Sequence, residues 1–170
     1  MPIPKRSHPG GDGCRGERRG KDSYVPKQEI TINAPAEKVF AYLADITRHR
    51  EWSKGEHKLQ VEKTSEGPIG QGATFRSVGY QFGRNEDTVT ITEYVPSQRI
   101  VFQANGRVGL ARHAFEIAPT DGAVRVTKSF DIVNGEFPFT IMYPLVARRF
   151  YWPGALKGDL ERIKAKLERT

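Results

Sequence analysis

Polar and apolar residues alternate through QEITIN at 28–33, with Ile30 and Ile32 on one side, and this period of two predicts a half-buried strand. The period then changes. Ala36, Val39, Phe40 and Leu43 recur at i, i+3, i+4 and i+7, the spacing of one buried side of a helix. Pro35 has the φ that a first helical turn needs, and Glu37 places negative charge at the positive end of the helix dipole. A short helix is therefore expected to begin here and end near Asp45, with a second helical turn over 46–52 completing a helix-loop-helix unit.

Beyond this point β-branched and aromatic residues fall in six short runs, predicting strands near 57–64, 73–81, 85–94, 99–104, 109–118 and 124–133. They are separated by Gly67-Pro68 with Gly70 and Gly72, the Gly83 turn, Pro96-Ser97, Asn105-Gly106 and Asp121-Gly122. These separators carry turn chemistry and are mostly short enough for antiparallel hairpins.

The last stretch, 138–169, returns to a helical period. Leu156, Leu160, Ile163 and Leu167 follow in steps of four, three and four, while Lys157, Asp159, Glu161, Arg162, Lys164 and Lys166 are assigned to the other side. Traced backwards, the stripe runs through Phe150, Val146 and Met142, past Pro153 and Gly154, where a kink or interruption is expected; Pro144 is a second place where the helix could divide. One strand, two small helices, six strands and a long helix make an α+β order, in which the helices are segregated from an antiparallel sheet.

Alternation also says which strand residues face that helix. With Arg112 and Glu116 turned to solvent, Ala111, His113, Phe115 and Ile117 face inward. Along the next strand Val124, Val126, Lys128, Phe130 and Ile132 do the same, which makes Lys128 the exception in chemistry. Phe75, Val89 and Ile91 are placed inward by the same counting, Phe102 with them, and Trp52 at one end. Singly, each apolar residue fits plain core packing. As a set they outline a concave, mostly apolar pocket, because a curved sheet and one helix do not meet everywhere along their length.

The 170 residues are enough for one domain with its own core. Residues 1–24 differ in composition, with five glycines, three prolines and few bulky apolar residues, so they are expected to form a flexible tail ahead of a domain at 25–170. Six bases and three acids give that tail a surplus of three positive charges out of the chain's net +7. Such charge favours weak contact with anionic surfaces, although glycine and acids dilute it, and no specific nucleic-acid partner is expected. No run approaches a membrane span or a secretion signal, and the single cysteine, Cys14, precludes an internal disulfide; a cytoplasmic location is expected.

Several stretches resemble the START-like helix-grip superfamily (SRPBCC), and within it the polyketide cyclase/dehydrase and lipid transport branch. They are ITINAPAEKVFAYLADITRHREW at 30–52, EYVPSQRIVF at 93–102, FEIAPTDGAVRVT at 115–127, LVARRF at 145–150 and LKGDLERIKAKLE at 156–168. The resemblance covers about residues 26–169. It implies a curved seven-stranded antiparallel sheet wrapped around a long C-terminal helix, enclosing an apolar cavity. It implies no single activity, because the fold carries binders, transporters and enzymes.

The expected ligand-site residues are Trp52, Phe75, Val89, Ile91, Phe102, His113, Phe115, Lys128, Phe130, Met142, Val146 and Phe150. His113 and Lys128 are the polar anchors among them. The Lys128 ammonium would meet a carboxylate or carbonyl of a ligand, or else a β-bulge or the lysine stem would carry it to water. Removing about 300 Å² of ligand surface from water gives roughly 7 kcal/mol, less about 4 kcal/mol or more for association, so greasy contact alone binds weakly.

No phosphate-binding glycine loop, nucleophile elbow, zinc-binding His-Glu-x-x-His or cysteine pair occurs, and neither metal nor cofactor is expected. The leading expectation is a binder or carrier of a small apolar ligand. The alternative is an aromatase/cyclase or dehydratase in which the same cavity folds a poly-β-ketone and His113, with Asp87 or Tyr80, moves a proton.

Overall fold

The period-two segments assemble into one antiparallel sheet in the order β1-β7-β6-β5-β4-β3-β2. The computed structural model describes residues 24–53, 59–80 and 84–169. Within them the strands are β1 (Lys27–Ile32), β2 (Gln60–Lys63), β3 (Thr74–Gly79), β4 (Asn85–Val95), β5 (Arg99–Gly106), β6 (Gly109–Thr120) and β7 (Ala123–Gly135). Strands β2 to β7 pair in sequence order, and β1 returns to pair with the last of them. This is the expected α+β helix-grip arrangement. The expected tail, apart from Tyr24, and the turn at Gly83 lie outside the described residues, as does the expected start of β2 at His57.

The β5–β6 hairpin requires glycine. Gly109 has φ +100, and a Cβ there would stand 2.0 Å from the Asn134 carbonyl oxygen. A side chain would have to displace backbone of the neighbouring strand, which packed interiors do not permit.

After β1 come α1 (Ala36–Ala44), a 3-10 turn (Ile46–Arg48) and α2 (His49–Trp52). Asp45 ends the first and begins the second, its carboxylate accepting the Thr47 N–H at 3.2 Å. Val39, Phe40 and Leu43 are buried as their spacing requires, and α2 buries Trp52.

The last helix differs from its sequence expectation. It is hydrogen-bonded from α3 (Phe139–Met142) through π-helical turns (Tyr143–Tyr151) into α4 (Trp152–Glu168). Pro153 does not interrupt it. The Trp152 N–H donates to the Ala147 carbonyl five residues back, and Pro153 enters at the first turn of α4, where the missing N–H is tolerated.

The wide turns also overturn one facing assignment. Each takes up about one residue more than an α turn, so a stripe counted back from Leu156 slips out of phase. Met142, Val146 and Phe150, expected against the sheet, are 42%, 56% and 75% exposed, and Tyr143 takes the inward place. In α4 the stripe holds, with Leu156, Leu160, Ile163 and Leu167 all buried; Asp159, assigned to the polar side, is buried with them. Burial of each such leucine or isoleucine contributes about 1.5–3 kcal/mol. At its end α4 is fastened to β1: Glu168 accepts the Asn33 N–H at 2.8 Å, and the Lys164 ammonium donates to the Thr31 carbonyl at 2.6 Å.

Buried apolar residues form two clusters. The larger joins α1, α2, the sheet and the end of α4, and includes Trp52, Phe75, Val89, Ile91, Phe102, Phe115 and Leu160. The smaller contains Ala111, Phe130, Tyr143 and Leu156, with Trp152 packed against it.

Candidate functional site

The seam between these clusters holds most of the polar chemistry of the interior. Register sets its sheet face: Phe102 pairs with His113 and His113 with Phe130 across β5, β6 and β7. In the adjacent row Ile100 pairs with Phe115 and Phe115 with Lys128. Inward pointing of one row and the next follows from alternation along each strand.

The rings of the first row are in contact. His113 stacks on Phe102 at 4.8 Å between centroids and meets Phe130 edge-on at 4.7 Å. Phe130 in turn stacks on Trp152 at 3.8 Å. From the small-helix side, His49 stacks on Trp52 at 4.2 Å and meets His113 edge-on at 5.7 Å. Two histidines therefore lie between the clusters, each packed among aromatic rings.

Lys128 does face inward, but neither expectation for its ammonium describes what holds it. The residue is 1% exposed and ion-paired with Asp159 of α4; no bulge moves it to the surface, since it pairs in register with Phe115. Its ammonium also lies over the rings of Trp52, at 4.3 Å, and Phe115, at 5.4 Å. Asp159 accepts Lys128 on Oδ2 and the Arg162 Nη2–H on Oδ1 at 2.7 Å, while Arg162 Nε–H donates to the Trp52 carbonyl at 2.6 Å. A buried charge is tolerated when paired and hydrogen-bonded, so Lys128 is a structural clamp of β7, α4 and α2.

Burial first, and that clamp second, set the state of the histidines. Burial, and after it the Lys128 ammonium, lowers the pKa of His49 to about 3. Burial, then Lys128 and His49, lowers that of His113 well below the ordinary range. Both imidazoles are neutral at physiological pH. They are weak bases but competent hydrogen-bonding groups.

Two shielded polar atoms of the seam have no hydrogen-bond partner among the described residues: Trp52 Nε1 and His113 Nδ1. Such atoms are few in folded proteins and costly to leave unmatched.

Of the residues expected at the site, Trp52, Phe102, His113, Phe115, Lys128 and Phe130 meet here. Phe75, Val89 and Ile91 belong to the larger cluster further along the sheet, and Met142, Val146 and Phe150 lie outside. Asp87 is hydrogen-bonded by Asn85 near the β5–β6 hairpin, and Tyr80 is exposed, so neither accompanies His113. Sequence reasoning missed His49, Asp159 and Trp152. Asp159 had a signal: it stands at i+3 and i−1 from Leu156 and Leu160, on the same stripe. A surface groove of about 500 Å³ lined by Asp45, Arg48, Glu51 and Glu62 among others is polar and includes none of the expected site residues. No group of residues suited to a metal ion occurs among the described residues.

Comparison with known proteins agrees with this fold. A family model described as polyketide cyclase / dehydrase and lipid transport matches residues 27–168. Among solved structures, the chain is similar to a START superfamily protein from Mycobacterium smegmatis, at 10% identity and a TM-score of 0.60 over 85% of this chain and 97% of that one. It is similar to Aha1 from Colwellia psychrerythraea, a dimer in solution, at 15% identity and a TM-score of 0.56, covering 85% and 96%. A third likeness is DynU16, a protein in the dynemicin biosynthetic locus, at 18% identity and a TM-score of 0.56, covering 87% of this chain and 48% of that one. At these identities the likenesses establish the fold. No curated protein matches the chain by sequence.

Proposed function

We propose, for a chain that belongs to the polyketide cyclase / dehydrase and lipid transport family, that it binds a small, largely apolar molecule at the seam between sheet and C-terminal helix. The observation that carries this reading is the pairing of an aromatic wall with two shielded, unmatched polar atoms, Trp52 Nε1 and His113 Nδ1. Rings supply sequence-blind contact to a flat apolar body, and the indole N–H with the imidazole orients one polar end of it. Entry requires the rings to part. Trp152 is suited to give way, because it stands where the π turns meet α4 and is only partly buried.

Binding is favoured over proton-transfer catalysis by the state of the histidines. An imidazole whose pKa lies far below 7 is a poor general base, so His113 suits the role of orienting group better than that of proton acceptor. The cyclase reading would need His113 to act as a neutral hydrogen-bond donor to a developing enolate.

Native mass spectrometry of the purified protein, together with titration of naphthol- or anthrone-type ligands followed by Trp52 and Trp152 emission, tests the proposal. A retained small molecule, or saturable quenching lost in Phe102→Ala, is the expected result. Absence of both across apolar ligands of differing size would overturn it.

A further inference from the structure

Between β7 and α4 the chain turns its apolar side outward. Phe137, Ile141, Met142, Leu145, Val146 and Phe150 are 81%, 57%, 42%, 68%, 56% and 75% exposed. Five of them form two adjacent rows, 141-145 and 142-146-150, on one side of α3 and the π turns, and Phe137 stands just ahead of α3. The inward side is occupied by Tyr143 and Ala147, which pack on the cluster containing Phe130. Single exposed apolar residues are ordinary; five on one helical face, with a sixth just ahead of it, mark a surface that meets something.

We propose that this face docks on an anionic lipid surface, with the helix lying in the plane of the headgroups. Charge selects that occupant. Residues 137–152 contain no acid and two arginines, Arg148 and Arg149, and Arg149 is exposed among the apolar side chains. The whole chain carries a net +7. An apolar face edged by arginine on a basic protein matches a bilayer interface containing anionic lipid, whereas a second copy would set its own arginines against these. The chain's residues 1–23 offer only Met1, Ile3 and Cys14 as apolar side chains, too few to cover the face. No helix among the described residues is long and apolar enough to cross a membrane, so the segment lies on the surface and does not span it.

Docking here places the lipid surface against the outer side of the helix whose inner side, through Tyr143 and Trp152, closes the aromatic seam. The surface stands on its own exposure and charge, and does not depend on which molecule occupies the seam.

Co-sedimentation of the full chain with phosphatidylglycerol/phosphatidylcholine vesicles, against phosphatidylcholine alone, tests the proposal. The expected result is binding to the anionic vesicles that weakens between about 50 and about 500 mM salt. Leu145→Asp with Phe150→Asp abolishes it, and Arg149→Glu weakens it about tenfold or more. All three residues are exposed, so circular dichroism and the thermal midpoint stay unchanged. Absence of vesicle binding overturns the proposal. So does binding that the double variant retains, which would assign the attraction to charge elsewhere, or a concentration-dependent dimer that the double variant dissociates, which would make the face an interface between copies.

Discussion

The Lys128 ammonium lies 4.3 Å from the centre of the Trp52 ring, and the carboxylate that neutralises it also holds, through Arg162, the Trp52 carbonyl. Ring and backbone of one tryptophan are thus tied to a single buried acid, so the position of α2 over the sheet depends on Asp159. Four expectations follow from this and from the neighbouring geometry.

Asp159→Leu leaves an ammonium enclosed among rings without its counter-charge, and is expected to lower stability by about 3–5 kcal/mol. The double variant Lys128→Met/Asp159→Leu removes both charges and should lie closer to the original protein than Asp159→Leu alone. Urea unfolding of the original protein, the two single variants Asp159→Leu and Lys128→Met, and the double variant gives the coupling. Additive losses would show that the pair does not act as a unit.

Acid should weaken the fold through the seam histidines. The pKa of His49 is about 3 in the folded chain against 6.5 when free, so between these values the unfolded chain binds the extra proton. Its contribution to stability is therefore fully present above pH 6.5 and lost progressively as pH falls toward 3. Burial of His113 gives the same sign. Urea midpoints at pH 7, 5.5 and 4.5 should fall in that order, and His49→Phe should flatten the slope. A midpoint independent of pH in His49→Phe and the original protein alike would contradict the assignment.

His113→Phe keeps a flat ring between Phe102 and Phe130 while removing Nδ1. One hydrogen bond of about 1–1.5 kcal/mol corresponds to a roughly five- to thirteenfold loss of affinity for a ligand that uses it. Stability should hold or rise, since a shielded polar atom without a protein partner disappears. Unchanged affinity, read by tryptophan quenching, would leave Trp52 Nε1 as the polar contact of the seam.

Two glycines with positive φ should respond differently to alanine. At Gly122, φ +73, a Cβ meets nothing within 4 Å, and only the backbone conformation is penalised, by about 1–2 kcal/mol. At Gly109 the same change adds a collision 2.0 Å from the Asn134 carbonyl oxygen. Thermal unfolding should show Gly109→Ala as the far more damaging substitution, and equal effects would mean that the hairpin yields.

Much of this architecture was legible because strands announce themselves locally. The alternation at 28–33 and the turn residues between later runs suffice for seven strands, and the stripe from Leu156 to Leu167 suffices for α4. The outward face of Met142, Val146 and Phe150 was not legible, because a count at 3.6 residues per turn carries no notice of wider winding ahead of Pro153. Lys128 was legible as an inward lysine but its partner was not named, although an inward base on a strand and an acid on the facing helical stripe call for each other. His49 was missed for a different reason: a four-residue helix has too few positions to show a face.

The pairing of β1 with β7 has a consequence for biosynthesis. Its partners, Val124 to Ser129, emerge from the ribosome about a hundred residues later, some 5–20 s at common rates of translation. For that interval the opening strand waits as an unmatched ribbon, and the carboxylate that secures its far end, Glu168, arrives later still. Closure therefore comes late in synthesis, and until its partner arrives the opening strand is exposed to whatever shields bare strands at the tunnel exit.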